Sequence, residues 1–253
     1  MSTAVIGATD RVGSEIVRGV LKRGDVVALL VRDPDKARRV FGEPDGLHIR
    51  PTRLDGPGDL TEAFDGIRTV FIAMGSIGIE GVLQRIAINV AAGVSSIEQV
   101  TRLSILNTSA DSLGINQRAH YSIDQFTSST AVRYSTIRPA IFSASLLAAA
   151  REVRASRTWT GLAGSGRTAL IDHRDAAEAG RVLTDPALLG AHHDLTPYVS
   201  DTGSPIGCSP RHRWSVGAPR ATDRNGNPSA RTPARKSTMT VLIRPRRRLP
   251  RKP

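Results

Sequence analysis

Three groups of residues in this chain have types and spacings that point to chemistry, and the first contains no acid–base pair at all. Ala4-Val5-Ile6 runs into Gly7-Ala8-Thr9-Asp10-Arg11-Val12-Gly13, and then into the helix-like stretch Ser14 to Lys22. A short apolar strand, a glycine turn and a helix are the opening of a dinucleotide-binding unit. The turn aims the unpaired N–H groups of a helix N-terminus at a pyrophosphate. The second group is Arg32 with Lys36, just past the apolar run Val26 to Val31. An acidic residue there would hold a ribose hydroxyl, whereas a guanidinium suits a 2′-phosphate, so NADP is favoured and NAD is the alternative. The third group, Ser104, His120 and Tyr121, offers a hydroxyl, an imidazole and a phenol able to hand on a proton.

Asp10 interrupts the first group at its most sensitive point. A carboxylate at ~5 Å from a phosphate, with an effective dielectric of ~20, repels it by roughly 3 kcal/mol. Asp10 can also cap the helix and so occupy N–H groups that a cofactor needs. The other reading turns its side chain harmlessly to solvent.

The elements that must position these groups alternate between strand and helix, the pattern of a parallel sheet covered by helices. Val26 to Val31 is a continuous β-rich run, expected of a strand buried on both faces. Asp33-Pro34 opens a second helix through Lys36 to Val40. Further strands are expected at Leu47 to Arg50, Thr69 to Ala73, Gln99 to Leu106 and Tyr134 to Arg138, the last closed by Pro139. Helices are expected at Asp59 to Phe64, Gly81 to Ala92, Ala119 to Ser128, Ser145 to Arg154 and Arg174 to Leu183. Short strands follow at Arg167 to Ile171 and His193 to Thr196. His192 and His193 point apart if they share a strand, and no carboxylate spacing suggests a metal site.

Charge separates the chain into two parts. The 253 residues carry a net +12, but from Asp201 onward there are 13 basic and 2 acidic residues, so the body is close to neutral. The same tail holds 8 of the 15 prolines and a single aromatic, Trp214. Such a segment buries too little apolar surface to offset chain ordering, and disorder is expected from residue 198 to 253. Cys208 is the one cysteine, which excludes an intrachain disulfide and a cysteine-built metal cage. No signal peptide or membrane-length apolar stretch is seen, so a cytoplasmic protein is expected.

The ordered motifs resemble the NmrA-like group of atypical short-chain dehydrogenases. Gly7 to Gly13 resembles its glycine turn, and Leu30-Val31-Arg32-Asp33-Pro34-Asp35-Lys36 its second-strand signature. Arg102-Leu103-Ser104, Thr136-Ile137-Arg138-Pro139, and Gly164 to Arg167 leading to Ile171-Asp172-His173-Arg174-Asp175 match later motifs. The resemblance covers residues 1 to about 197. It implies a doubly wound Rossmann sheet of order 3-2-1-4-5-6 with a small, truncated substrate lobe near 140–197. It further implies a cofactor lined by Gly7 to Gly13, Arg32, Lys36, Asp55, Ala73, Met74, Ser104 and Pro139. Arg53, beside Asp55, weakens an acidic contact to the adenine but can stack on the base.

The resemblance implies an NAD(P)H-dependent oxidoreductase passing hydride to a small carbonyl, quinone or imine acceptor. Common short-chain dehydrogenases pair a tyrosine with a lysine four residues on; here Tyr121 is followed at that spacing by neutral Gln125. A dinucleotide-sensing regulator without turnover is therefore a competing expectation, and an inactive product a third. The group continues where this chain changes abruptly, after His193-Asp194-Leu195-Thr196-Pro197, into Arg, Pro, Ser, Thr and Gly. Out-of-frame translation of a GC-rich gene produces that composition, and it is favoured here over a basic arm for nucleic acid centred on Arg244 to Arg248.

Overall fold

The structure, a computed structural model, describes residues 3–54, 57–74, 79–93, 95–150, 154, 169–182, 189–197 and 214–216. In chain order the elements begin with β1 (Thr3–Ile6), α1 (Arg11–Leu21), β2 (Val27–Val31), α2 (Pro34–Phe41) and β3 (Leu47–Pro51). There follow α3 (Pro57–Ala63), β4 (Thr69–Ile72), α4 (Ile79–Gly93), β5 (Gln99–Leu103), α5 (Ile115–Ser129) and β6 (Arg133–Pro139). The last group is β7 (Ile141–Phe142), a 3₁₀ helix (Ser143–Ala149), β8 (Leu170–Ile171), α6 (His173–Val182), β9 (Ala191–Pro197) and β10 (Trp214–Val216).

The main sheet has the order β10-β9-β6-β5-β4-β1-β2-β3. Its first six strands thus stand 3-2-1-4-5-6, the order the family resemblance implies, and β9 extends the sheet in parallel beyond β6. β2, β4 and β5 are buried at every position; β2 and β4 accordingly read as near-continuous apolar runs, whereas β5 is buried with Gln99, Thr101 and Arg102 among its residues.

Alternating side chains divide this sheet into two faces. On one, Val5, Leu29, Phe71, Leu103, Ile137 and Leu195 pack beneath α1 and α6 in a continuous apolar core. Val12, Ile16, Val17 and Val20 form the buried stripe of α1, at the spacing of one helical face. On the other, Ile6, Leu30, Val70, Ile72 and Val100 pack against Leu60, Phe64, Ile88 and Ala91 of the α3–α4 region. That second core stops at β5.

Three elements differ from the sequence reading. Where a helix is expected over Ser145 to Arg154, Ser143–Ala149 is a 3₁₀ helix, Ala150 and Arg154 are α-helical, and residues 151–153 lie outside the described residues. β8 pairs with β7 in a separate two-stranded sheet, and β7 carries no periodic signal because it is two residues long. Within the basic tail, Trp214–Val216 lies antiparallel on β9, opposite Leu195 to Pro197, where no strand was expected. The Gly164 to Arg167 turn, Cys208 and the arginine run around Arg246 lie outside the described residues.

Candidate functional site

The glycine turn is tight enough to explain both of its glycines. Gly7 has φ +79°, and a Cβ there would stand 2.6 Å from the Ala73 carbonyl oxygen; one on Gly13 would stand 2.2 Å from the Gly7 carbonyl oxygen. Only hydrogen fits at either position. Ala73 N–H donates to the Ile6 carbonyl at 2.8 Å, so the end of β4 forms the floor of the turn. Asp10 N–H donates to the Gly7 carbonyl at 3.0 Å, and Ser14 N–H donates to the Asp10 carbonyl at 2.8 Å. Ser14 makes the first intrahelical bond, so the N–H groups of Arg11, Val12 and Gly13 have no intrahelical acceptor. A close-approach cradle with open donors at the start of an eleven-residue helix fits a pyrophosphate.

Asp10 occupies the cap position in extended conformation, but its exposed carboxylate accepts no hydrogen bond from the helix. Contrary to the expected capping role, Asp10 leaves the helix N–H groups open, and only its charge opposes a phosphate.

At the end of β2, Arg32 and Lys36 are both exposed. Asp33 is the nearest carboxylate in sequence and is already engaged: its Oδ1 accepts from Lys36 N–H at 2.8 Å, capping α2. Met74 follows β4 beside Ala73, while Asp55 lies outside the described residues. Pro139 closes β6, where its carbonyl accepts from Leu106 N–H at 3.0 Å.

The three proton-carrying candidates have unlike surroundings. Ser104 and His120 are buried in an ionic layer between α5 and the strands β5 and β6. Arg102 pairs with Asp124, both fully buried. Arg138 donates to Asp124 Oδ2 from Nε at 3.0 Å and Nη2 at 2.8 Å, and Ser104 Oγ donates to the same oxygen at 3.2 Å. His120 Nδ1 lies 3.3 Å from Arg102 Nη1 and 3.4 Å from Ser104 Oγ.

His120 and Asp124 reach this layer together because they stand one helical turn apart on the inner face of α5. Arg102 and Ser104 share a face of the chain because they alternate along β5. Burial, then the Arg102 and Arg85 charges, lowers the His120 pKa to about 3. Its imidazole is therefore neutral near pH 7 and cannot serve there as a cationic acid, which removes the simplest catalytic role for His120. Tyr121 is half-buried, and its hydroxyl has no hydrogen-bond partner among the described residues.

Arg85 of α4 joins the layer from the β4 side. Its guanidinium is buried and donates to the Met74 carbonyl at 2.8 Å and the Gly81 carbonyl at 2.9 Å. Burial pushes its pKa down to about 10. Arg85, Arg102, Asp124 and Arg138 are the residues that sequence reasoning passed over. The available signal was an arginine inside a central, otherwise buried strand, together with a carboxylate one turn after His120. His192 packs beside Tyr134 with ring centroids 5.5 Å apart, while His193 is buried. Among the described residues no three His, Cys, Asp or Glu side chains gather as a metal site, and no helix is long and apolar enough to cross a membrane.

Fold and turn together define a Rossmann dinucleotide-binding protein. The profile of a family described as NAD(P)H-binding matches residues 7–163, and the chain belongs to that family. It is similar to quinone oxidoreductase 2 of Escherichia coli, 24% identical over 196 residues, covering 76% of this chain and 67% of that protein. It is also similar to an NAD(P)H azoreductase of Xenophilus azovorans, 28% identical over 190 residues, covering 72% of this chain and 63% of the relative. Among solved structures it resembles the NADPH-dependent quinone oxidoreductase of E. coli in complex with NADPH, at TM-score 0.69 and 22% identity over 77% of this chain and 69% of that one. The Citrobacter sp. triphenylmethane reductase complexed with NADP(H) gives TM-score 0.68 and 20% identity over 78% and 70%.

Proposed function

We propose that this chain is an NADPH-preferring oxidoreductase whose acceptors are conjugated molecules such as quinones and azo compounds. The observation that carries the reading is the Gly7–Gly13 cradle, closed to any side chain and lined by open helix N–H donors. In such a site the dihydronicotinamide supplies hydride, while the protein supplies placement and electrostatics. The Arg11, Val12 and Gly13 N–H groups would hold the pyrophosphate. Arg32, supported by Lys36, would hold a 2′-phosphate, since the Asp33 carboxylate is spent on its helix cap. Ala73, Met74, Ser104 and Pro139 end the strands over which the nicotinamide would lie.

The acceptor class follows from the weakness of the acids. Tyr121 lacks a lysine partner, His120 is neutral, and Ser104 already donates to Asp124. A simple ketone needs a proton delivered as hydride arrives. A quinone or azo group spreads the incoming charge by conjugation and can be protonated afterwards from water. The names of the two relatives, a quinone oxidoreductase and an azoreductase, support this choice.

Calorimetric titration should show tighter binding of NADPH than NADH. Arg32→Ala should narrow the gap by roughly tenfold, the worth of one charge-assisted contact. NADPH oxidation should be faster with naphthoquinones and azo dyes than with aliphatic ketones. Equal affinity for the two cofactors would sink the NADPH preference. Binding without turnover of any conjugated acceptor would favour the sensor reading, to which the lone Tyr121 also points.

A further inference from the structure

We propose that Arg85 is a positioning residue of the dinucleotide site. It fixes the end of β4 on which the glycine turn rests, and so governs the grip on the pyrophosphate and nicotinamide half of the cofactor. The inference rests on the dinucleotide-binding reading above.

Its basis is the contact between two chain segments. A Cβ on Gly7 would stand 2.6 Å from the Ala73 carbonyl oxygen, 2.7 Å from the carbonyl carbon and 2.9 Å from the Met74 nitrogen. The Ala73–Met74 peptide therefore lies directly beneath the turn, at a separation that leaves room only for hydrogen. A shift of that peptide toward the turn displaces Gly7, and with it the N–H groups of Arg11, Val12 and Gly13.

The two sides of this peptide are held differently. Upstream, Ala73 N–H donates to the Ile6 carbonyl at 2.8 Å, which ties it to β1. The ladder pairs of β4 end at Ile72, opposite Ile6 and Arg102, so Met74 stands two residues past them. Its carbonyl is held from α4 instead, accepting from Arg85 Nη2 at 2.8 Å. The same guanidinium donates through Nη1 to the Gly81 carbonyl at 2.9 Å. One planar fork thus fastens the strand end to the first turn of α4, and its burial shields both bonds from water. The Arg85 backbone is pinned as well, since buried Asn89 donates from Nδ2 to its carbonyl at 2.7 Å.

The sheet order reverses direction between β1 and β4, and ligands of open α/β sheets lie across that crevice. Arg32 follows β2 on one side of it, and Met74 follows β4 on the other. With the 2′-phosphate end of the cofactor at Arg32, the β4 end is left to the pyrophosphate and nicotinamide half. Loosening Met74 should then weaken a full dinucleotide and spare a fragment made of the adenosine end alone.

The test is calorimetric titration of full-length protein with NADPH and with adenosine 2′,5′-bisphosphate, which lacks the nicotinamide half. Arg85→Met should weaken NADPH by about tenfold, the worth of one hydrogen bond from a charged group, and change the fragment's affinity by less than about twofold. Arg85→Lys should recover part of the loss, because an ammonium lacks the fork that reaches both carbonyls. Arg32→Ala, by contrast, should weaken both ligands. Unchanged NADPH affinity in folded Arg85→Met overturns the proposal. An equal loss of both ligands also overturns it, because a merely structural role would act on both. If Arg85→Met does not fold, the unmutated protein decides. Met74 is one of three methionines, so methionine-selective amide labelling isolates its NMR signal. That signal should move when NADPH is added and stay in place with the fragment; movement with both ligands, or with neither, overturns the proposal. NADPH binding that is indifferent to Arg85 defeats this inference alone, whereas absence of NADPH binding by the unmutated protein defeats the functional reading beneath it.

Discussion

The two layers flanking β5 and β6 are built on opposite principles. Toward α1 and α6, Leu103 and Ile137 enter an apolar core in which any side chain of suitable volume contributes. Toward α5, the adjoining residues Arg102, Ser104 and Arg138 enter a layer of charges and hydrogen bonds. The apolar layer tolerates approximate partners, whereas the ionic one requires each group to be present. Buried ion pairs seldom stabilise more than well-packed hydrocarbon would, because desolvation offsets their attraction. Arg102, Asp124 and Arg138 therefore add less to net stability than their close pairing suggests.

The sharpest way to break this comparison is to remove its shared carboxylate. Asp124→Ala should destabilise the protein by about 3–5 kcal/mol in urea unfolding, since it strands Arg102. Adding Arg102→Met to Asp124→Leu should recover most of that loss. A double variant as unstable as the single one would show that the layer is structurally indispensable. On the apolar side, Ile137→Val should cost only about 1 kcal/mol by the same assay.

Acid should separate the two layers further. The folded His120 pKa of about 3 lies below its ordinary 6.5, so the unfolded chain takes up the proton first as pH falls. Stability from neutral His120 is complete above pH 6.5 and is lost toward pH 3, at about 1.4 kcal/mol per pH unit. His192, also lowered to about 3 by burial and then by the Arg138, Arg102 and His193 charges, acts in the same direction. His120→Gln should flatten this slope in pH-dependent melts; an unchanged slope would locate the acid sensitivity elsewhere. The smallest effect is expected at Asp10. Its exposure calls for a water-like dielectric, giving ~0.8 kcal/mol at ~5 Å. Asp10→Gly should therefore tighten NADPH binding by about fourfold in titration, with little change in Tm.

These layers also divide what could be read from the sequence. β1, β2 and β4 were legible because a strand buried on both faces leaves an uninterrupted apolar run, and the Gly7–Gly13 turn because only glycine meets its steric demand. α5 was legible in outline, although its first four residues carry no inward apolar pattern. Its partners were not legible. Alternation says which face of β5 holds Arg102, but only the tertiary fold shows that Asp124 and Arg138 close around it. Likewise, the spacing from Tyr121 to Gln125 revealed a missing lysine and gave no hint of a guanidinium arriving from β6. β7 and β10 are too short for periodicity to register.

The ionic layer also has a consequence for the order of assembly. Hydrophobic contacts reward partial docking, since each buried methylene lowers the free energy by itself. A carboxylate shared by two guanidinium groups gives no such return: bringing Asp124 out of water before Arg102 and Arg138 are in place is uphill. α5 should therefore dock late and in a single step, after β5, β6 and the α1–α6 side have formed. Its amides should exchange with deuterium as one cooperative group, at a lower opening free energy than those of β2 and β4. Mutations confined to α5 should accelerate unfolding while leaving the refolding rate nearly untouched.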